Sequence, residues 1–354
     1  MAEISRKLRA AVVGLRMGAY HAEAYATLPE YELAALCDLS QPLLEQVAAG
    51  TGCCALYEDY DRMLKEARPD VVCVTTPNNL HETMTLKAVA AGVRGVYCEK
   101  PIAMGLGAAR RMGQACGNAG IPLVIGHQRR VSAPYRKMRE IIASGELGDV
   151  TLMRGSCPGD MLSDGTHTMD SLLFLNGGCA VSWVLAQVYR GRKATAEELA
   201  VNPWLYCGTR YGHNVEEGAI ATVQFANGVR AEIMTGTMWQ PSLGYQNMDV
   251  FGSKGRLLRA GDGADPAVAI NTGGRWLAVP VADDDDGGLK EAHRLFARTV
   301  LDGAAHPMGI SEALPGFEAV MAVYESARLN GRVELPLGQE DFPLDLMLRE
   351  GRIS

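Results

Sequence analysis

The stretch that decides the fold lies near the start of the 354-residue chain and reads Leu8-Arg-Ala-Ala-Val-Val-Gly14-Leu-Arg-Met-Gly18. A strand pattern ends at Gly14 and a helical pattern begins near Gly18. The two glycines therefore lie at a strand-to-helix turn, where a dinucleotide fold lets a pyrophosphate approach the backbone. A complete fingerprint would read G-x-G-x-x-G, but Arg16 stands near the expected second glycine and the loop is one residue short. Taken alone, the loop leaves a plain βα turn as an equal alternative.

The residues that follow repeat the alternation of short apolar strands and helical patterns. Strands are predicted over residues 8–14, 31–38, 70–76, 95–100 and 122–128. Helices are predicted over residues 18–28, 41–49, 59–67, 80–91 and 106–119. This order is typical of a parallel sheet covered by helices, so residues 1–126 are predicted to form a doubly wound α/β domain.

The pattern changes after residue 126, where a predicted helix over residues 133–144 is followed by longer alternating segments. Two hairpins are predicted, one pairing residues 219–226 with 229–238 across Asn227-Gly228, the other pairing 245–251 with 256–260. Helices over residues 289–301 and 311–330 close the chain and could pack back on the first domain. Residues 127–354 are therefore predicted to form an α+β domain with a large open, mainly antiparallel sheet.

Charge and composition favour a small-molecule partner. The chain has 34 basic and 41 acidic residues, a formal net charge of −7 and no basic block, which argues against binding to nucleic acid or to a membrane surface. No apolar run approaches the length of a spanning helix, and residues 1–9 lead into a strand without a signal-peptide pattern. We expect a cytoplasmic protein.

The cysteines and the acidic run predict no metal site. The nine cysteines lie mostly in apolar runs without a Cys-x-x-Cys pair, which favours buried thiols in a reducing compartment. Adjacent Cys53 and Cys54 lack the spacing of metal ligands. The run Asp283 to Asp286 lacks the alternating ligands of a calcium loop and is predicted to be solvated.

Asp38 follows the second predicted strand at the spacing expected of a carboxylate that binds the adenosine ribose hydroxyls. Its charge would repel a 2′-phosphate, so NAD is favoured over NADP. The alternative is that Asp38 or Ser40 caps the next helix. Arg16 complicates the preference, because its guanidinium could lie on the pyrophosphate or offset the repulsion.

Five further motifs occur in order along the first half of the chain. They are Thr75-Thr-Pro-Asn78-Asn-Leu-His81, Ala90-Ala-Gly92, Cys98-Glu-Lys100-Pro101, Ser144-Gly-Glu-Leu-Gly148 and Asp164-Gly-Thr-His167-Thr-Met-Asp170. With these motifs the chain resembles the glucose-fructose oxidoreductase, inositol dehydrogenase and rhizopine catabolism (Gfo/Idh/MocA) family over about residues 10–175. The later segments Phe251-Gly-Ser-Lys-Gly255 and Tyr324-Glu-Ser-Ala327 extend the resemblance towards the C-terminus.

The resemblance implies a fold, a reaction and a set of cofactor contacts. It implies an N-terminal Rossmann dinucleotide-binding domain, a C-terminal substrate domain and NAD(P)-dependent oxidation or reduction of a carbohydrate or polyol. It also implies that the second domain's open sheet serves oligomer contacts, so a homodimer or homotetramer is expected. The residues assigned to the cofactor from the glycine loop and the resemblance are Gly14, Arg16, Met17, Gly18, Asp38, Thr76, Pro77, Asn78, His81, Glu99 and Lys100.

Lys100 lies at the carboxyl end of a predicted parallel strand, which is where open α/β sheets bind ligands. An ammonium group there can hydrogen-bond a substrate oxygen and stabilise alkoxide character during hydride transfer. Glu99 alternates to the other face of the strand and could anchor the loop, and Pro101 could follow a cis bond. The alternative is an ordinary surface Lys-Pro turn.

His167 and Asp170 are three residues apart on a predicted helix and share one face, and His167 is the candidate base that removes the hydroxyl proton. In the family an acid precedes this histidine by four residues, where this chain has Ser163. Either Asp164, three residues before, takes the role of orienting the acid-base pair, or Ser163 replaces it; we favour Asp164. The alternative for His167 is a hydrogen-bonded histidine at a helix start.

Other polar residues carry weaker hypotheses. His81 could line the nicotinamide side of the site, and Trp239 or Tyr245 could stack on a sugar ring, although aromatic residues in sheets more often belong to the core. His213 and Glu217 receive no role.

The leading hypothesis is hydride transfer between nicotinamide and a secondary alcohol or ketone of a sugar, sugar derivative or cyclic polyol. A second hypothesis is redox-assisted glycoside cleavage with a retained NAD. A third is a cofactor-binding regulator that has lost catalysis, against which the presence of both Lys100 and His167 argues.

Overall fold

The computed structural model describes residues 6–202, 205–236, 245–282 and 286–353. The chain forms two compact units built from interleaved segments. The first unit contains Met1–Ala103, Ala108–Val131 and Asp286–Ser311, and the second contains Met104–Gly107, Ser132–Asp285 and Glu312–Ser354. The helix of the segment 286–311 is therefore part of the same unit as the N-terminal residues.

The first unit contains a six-stranded, fully parallel sheet of order β3-β2-β1-β4-β5-β6. Its elements up to residue 125 are β1 Leu8–Val13, α1 Leu15–Thr27, β2 Tyr31–Cys37, α2 Gln41–Thr51, β3 Leu56–Tyr57, α3 Tyr60–Ala67, β4 Val71–Val74, α4 His81–Ala90, β5 Gly95–Cys98, α5 Leu106–Ala119 and β6 Leu123–Ile125. The predicted α/β class and the five predicted strands are confirmed. The two-residue edge strand β3 was not predicted.

The central strands β4 and β5 show why the sequence predicts this parallel sheet. Every residue of both strands is buried, as expected for parallel strands that are covered on both faces. The four loops that follow β1, β2, β4 and β5 leave the same edge of the sheet, because parallel strands end together. These loops carry the glycine turn, Asp38, the Thr75–His81 motif and Lys100.

The second unit contains a nine-stranded sheet of order β16-β15-β14-β13-β7-β12-β11-β8-β17. The remaining elements of the chain are α6 Ala133–Ser144, β7 Val150–Cys157, α7 Thr166–Leu175, β8 Val181–Tyr189, α8 Ala196–Val201, β9 Thr209–Arg210, β10 His213–Asn214, β11 Gly218–Phe225, β12 Arg230–Thr235, β13 Asn247–Gly252, β14 Arg256–Arg259, β15 Ala269–Asn271, β16 Leu277–Ala278, α9 Leu289–Asp302, α10 Ile310–Leu329, β17 Val333–Glu334 and α11 Pro343–Arg349.

The large sheet is mainly antiparallel, as predicted, and both predicted hairpins are present as the pairs β11–β12 and β13–β14. The neighbouring strands β7 and β12 run parallel. The end of the first predicted hairpin, which includes Trp239, lies outside the described residues.

Helix α9 completes the first unit by packing on β5. A Cβ atom added at Gly95 would lie 2.8 Å from Val300 and 3.0 Å from the Phe296 ring, so only glycine lets the helix approach the strand this closely. The Phe296 ring also packs at an edge against Tyr97, with ring centroids 5.9 Å apart. Part of the core of the first unit is thus supplied from near the C-terminus.

Helix α7, which carries His167, is packed on two sides within the second unit. A Cβ added at Gly155 of β7 would clash with the Thr168 side chain, and one at Gly316 of α10 would lie 3.6 Å from the Cα of Asp170. The glycine on β7 therefore lets α7 pack closely on the sheet, and α10 contacts the other side of the helix.

None of the nine cysteines forms a disulfide, and six of them are buried. Within the described ranges, every helix is too short or too polar to cross a bilayer.

Candidate functional site

The backbone of the glycine turn is not covered by side chains, because neither Gly14 nor Gly18 has room for a Cβ atom. Gly14 has a φ of 86°, and a Cβ added there would lie 2.7 Å from the Thr75 carbonyl oxygen. A Cβ at Gly18 would lie 2.5 Å from Thr75 Oγ1. Helix α1 begins directly after this turn, where Gly14 supplies no side-chain cap and the first turn has no acidic residue of its own. A helix N-terminus that opens in a glycine turn fits the pyrophosphate of a dinucleotide.

Asp38 is half-buried and braces the glycine turn. Its Oδ2 accepts the N–H of Leu15 at 2.6 Å, and its Oδ1 accepts the N–H of Ser40 at 2.9 Å. The carboxylate therefore lies at the first residue of α1 and also at the residue that precedes α2. Arg16 and Met17 are exposed on the opening turn of α1.

The segment that follows β4 turns inward at Asn78 and His81. Asn78 is buried and Pro77 is exposed. The Thr76 hydroxyl is buried without a hydrogen-bond partner in the part of the chain that the structure describes. A buried hydroxyl of this kind beside the glycine turn fits a polar group of a ligand.

His81 is fully buried, and its ring connects the loop after β4 to the loop after β5. Nε2 lies 2.9 Å from the Thr76 carbonyl oxygen and Nδ1 lies 2.7 Å from the Pro101 carbonyl oxygen. Burial lowers the pKa of this histidine. The geometry makes the His81 ring a brace between the two loops.

Lys100 follows β5 on a loop that is anchored by its neighbour Glu99. The Lys100–Pro101 peptide bond is cis. Glu99 is 8% exposed, and its Oε2 accepts the Lys100 N–H at 3.3 Å. A Cβ added at Gly126 would clash with Glu99 Oε1, so the glycine makes room for the carboxylate.

The Glu99 carboxylate forms a buried ion pair with His21 of α1, whose Nε2 lies 3.1 Å from Oε1. The other ring nitrogen of His21 lies 2.9 Å from Nε2 of His293 on α9. Burial opposes a charge on His21, but Cys73 and Glu99 favour the charge and raise its pKa to about 10. Burial and His21 together lower the pKa of His293 well below its usual value. His21 is thus the charged histidine, and it donates to both partners.

Sequence reasoning did not find His21 or His293. A signal for His21 exists, because it shares the buried face of α1 with Gly18, Ala22 and Tyr25. For His293 no local pattern points to a partner 272 residues away.

In the second unit, His167 and Asp164 are both buried, at 5% and 4% exposure. His167 lies in the first turn of α7, and Asp164 lies in the single turn of π-helix Met161–Gly165 that precedes it. The Tyr245 hydroxyl donates to Asp164 Oδ1 at 2.5 Å. Tyr245, which the sequence suggested as a stacking residue, therefore holds a carboxylate.

Ser163 and Asp164 meet different partners. Ser163 Oγ lies 3.1 Å from His213 Nε2, and His213 Nδ1 lies 2.9 Å from the Asn214 carbonyl oxygen. Burial lowers the pKa of His213 to about 4, so His213 is neutral and its Nε2 accepts a hydrogen bond from the Ser163 hydroxyl. The structure gives His213 a local role that the sequence did not assign.

The predicted site residues thus fall into two groups. Gly14, Gly18, Asp38, Thr76, Asn78, His81, Glu99 and Lys100 share the carboxyl edge of the parallel sheet in the first unit, and Asp164 and His167 share one helix start in the second. Within the described residues, no group of three or more histidine, cysteine or acidic side chains could hold a metal ion.

A helix that starts in a glycine turn at the carboxyl edge of a parallel sheet, in a chain with a separate α+β unit, is typical of a two-domain dinucleotide-binding protein. The chain belongs to the Gfo/Idh/MocA family. The family model described as "Oxidoreductase family, NAD-binding Rossmann fold" matches residues 8–127. The model of the family's C-terminal domain matches residues 135–258. The chain is therefore an NAD-binding oxidoreductase.

Named relatives and a solved structure agree with this assignment. The chain is 26% identical over 364 residues to D-glucoside 3-dehydrogenase of Escherichia coli (strain K12), covering 94% of this chain and 98% of the relative. It is 24% identical over 257 residues to myo-inositol 2-dehydrogenase of Thermotoga maritima, covering 71% and 75%. Scyllo-inositol dehydrogenase from Lactobacillus casei, solved with bound NAD(H) and scyllo-inositol, superposes with a TM-score of 0.72 at 20% identity, covering 93% of this chain and 99% of the other.

Proposed function

We propose that the protein oxidises a secondary alcohol of a sugar, sugar derivative or cyclic polyol, or reduces the corresponding ketone, with NAD as the hydride carrier. The observation that carries the proposal is the placement of Lys100, which follows β5 on the same sheet edge as the glycine turn and is held there by Glu99. The sugar and inositol dehydrogenases among the relatives support this substrate class.

In this proposal Lys100 and His167 have different roles at the reacting hydroxyl group. The Lys100 ammonium donates a hydrogen bond to the reacting oxygen and stabilises negative charge on it. His167 takes the proton from that hydroxyl while the hydride leaves the same carbon, and returns it in the reverse direction. A bound NAD would supply the hydride acceptor.

Asp164 is the residue that we propose to orient this proton transfer. Its carboxylate is held by the Tyr245 hydroxyl and lies one turn before His167. A fixed carboxylate beside an imidazole favours the protonated ring that forms during alcohol oxidation. Because the Ser163 hydroxyl is hydrogen-bonded to His213, we favour Asp164 over Ser163 for this role.

The decisive experiment is a panel of cyclitols, aldoses, sugar acids and glycosides followed by NADH fluorescence. We expect turnover of at least one cyclitol or sugar. With that substrate, Lys100→Met should lower kcat by about 10²–10³-fold, the loss typical of removing one donor to a developing oxyanion. The exposed Lys65→Met is the matched control, and equal losses in both variants would remove Lys100 from the mechanism.

The same panel separates the other hypotheses. Net turnover without added NAD, with deuterium exchange at the carbon beside the transient ketone, would identify glycoside cleavage with a retained cofactor. If Lys100→Met kept full function while binding a confirmed ligand, the protein would act as a regulator.

We propose NAD rather than NADP as the working cofactor, because the Asp38 carboxylate lies at the end of β2 and would repel a 2′-phosphate. Asp38→Ala should shift the ratio of kcat/KM values towards NADP. A wild-type ratio that already favours NADP would contradict the assignment.

We also propose that the protein is a homodimer or homotetramer that assembles through its large sheet. The sheet strands β8 and β11 expose Leu185, Tyr189 and Ile220, at 47%, 53% and 45%, and apolar side chains grouped on a sheet face favour association. Light scattering should give a mass above that of one chain.

Six buried thiols without disulfides support our expectation of a cytoplasmic enzyme.

A further inference from the structure

The turn that carries Asp164 and leads into α7 needs acceptors for its backbone N–H groups. The residues Met161–Gly165 form one turn of π-helix that is buried throughout. The first N–H groups of a helical turn have no acceptor within the turn, and π-helical turns are frequent at functional sites. The acceptors of these N–H groups therefore decide how firmly Asp164 is held.

Two buried side chains from distant parts of the chain accept the first two N–H groups. The Met161 N–H donates to Glu216 Oε1 at 2.5 Å, and the Leu162 N–H donates to the Tyr324 hydroxyl oxygen at 3.0 Å. The Tyr324 hydroxyl donates in turn to Glu216 Oε2 at 2.8 Å. Glu216 and Tyr324 thus form one connected acceptor group.

The rest of the turn is held by Asp160, the residue that precedes it. Asp160 Oδ1 accepts the Ser163 N–H at 2.7 Å, and its carbonyl oxygen accepts the N–H groups of Asp164 and Gly165 at 3.0 Å each. All five N–H groups of the turn therefore have an acceptor, and the two that Asp160 does not supply depend on Glu216 and Tyr324.

Both of these side chains are fixed by their own surroundings in the second unit. Glu216 lies in the loop before β11 and is 2% exposed, and Tyr324 lies in α10 and is fully buried. The Tyr324 ring packs edge-on against Phe342 with centroids 5.1 Å apart. Burial and the charge of Asp160 raise the pKa of Glu216 to about 7, which reflects a carboxyl group in dry, acidic surroundings.

We propose that Glu216 and Tyr324 are positioning residues that fix the π-helical turn and thereby place Asp164 and His167 for proton transfer. This inference rests on the proposed function, because the proposed function gives Asp164 and His167 their acid-base roles. It also gives a function to the motif Tyr324–Ala327, which the sequence singled out without a role.

The test removes the Tyr324 hydroxyl and the Glu216 carboxylate in separate variants. Tyr324→Phe deletes only the hydroxyl and keeps the ring against Phe342. Glu216→Gln keeps a carbonyl oxygen for the Met161 N–H, whereas Glu216→Ala keeps none. Tyr60→Phe is the matched control, because it also deletes a buried hydroxyl, one that donates to the Met84 carbonyl oxygen in the first unit.

We expect Tyr324→Phe and Glu216→Ala to lower kcat by about tenfold to a hundredfold, as displacements of about 1 Å do, with the Kd for NAD unchanged. Glu216→Gln should recover most of the activity, and Tyr60→Phe should retain it. Equal kcat in Tyr324→Phe and wild type would overturn the proposal.

Two further readouts do not depend on turnover. Amide hydrogen exchange of the segment 158–166 should be faster in Tyr324→Phe than in wild type, and the ring signal of His167 should shift in histidine-labelled protein. If neither changes, the proposal is wrong. If the wild type turns over no sugar or polyol, the proposed function fails, and these two readouts still decide whether the pair holds the turn and His167.

Discussion

His21 is the residue on which the anchor of Lys100 depends. Its ring forms an ion pair with the buried Glu99, with 3.1 Å between Nε2 and Oε1. His21→Gln should lower the free energy of unfolding by about 3–5 kcal/mol, because removing one partner of a buried ion pair leaves the other charge unpaired. Urea unfolding measures the change. The double variant His21→Gln/Glu99→Gln should be more stable than His21→Gln, and the reverse order would contradict the ion pair.

The same histidine predicts a pH dependence of stability. Its pKa is raised from 6.5 to about 10 in the folded protein, so folding favours the protonated form. The stabilisation is fully present below pH 6.5 and is lost as the pH rises towards 10. Thermal unfolding between these pH values should show a steeper fall in Tm for the wild type than for His21→Gln/Glu99→Gln. Parallel curves would show that His21 is neutral.

At the scale of the element, the glycine turn between β1 and α1 predicts a clear contrast. Gly14→Ala places a methyl group 2.7 Å from the Thr75 carbonyl oxygen at a φ of 86°. An L-residue in this conformation costs about 1–2 kcal/mol, and the displaced turn should raise the Kd for NAD by about tenfold. Isothermal titration measures this Kd.

Gly50→Ala is the control for that variant, because Gly50 lies inside α2 with no atom within 4 Å of the new methyl group. It should leave NAD binding unchanged and stabilise the protein by about 0.5–1 kcal/mol. Equal effects of both substitutions on the Kd would show that the turn does not touch the cofactor.

The elements also show what sequence patterns can and cannot predict. The strands β1, β2 and β5 were predicted to within two residues at either end, because apolar runs of parallel strands are bounded by turn residues. The strand β3 has two residues and pairs only with β2, so it leaves no pattern. The parallel pairing of β7 with β12 joins distant segments, and no local signal sets its register.

The candidate site divides in the same way. Lys100 and His167 are proposed from the sequence because each lies in a short motif of the family that the chain resembles. The contacts around these residues were not predicted. Glu99 forms an ion pair with His21, and Asp164 accepts a hydrogen bond from Tyr245, which lies 81 residues away in the sequence. Such contacts exist only after folding, and no periodicity in the sequence encodes them.

At the scale of the whole molecule, the first unit is incomplete without the segment 286–311. A fragment of residues 1–131 lacks α9 and exposes the β5 surface at Gly95 and Tyr97 that Phe296 covers. It should bind hydrophobic dyes and unfold at a lower temperature than the same fragment with residues 286–311 joined by a flexible linker. Equal Tm values for the two fragments would contradict the contribution of α9.

The interleaving of the two units also has a consequence during synthesis on the ribosome. Domains usually fold as they emerge, starting from the N-terminus. Here the core around β5 must wait for Phe296, which is translated after most of the second unit. The nascent N-terminal sheet therefore keeps the apolar surface around Tyr97 uncovered until residue 296 has been translated.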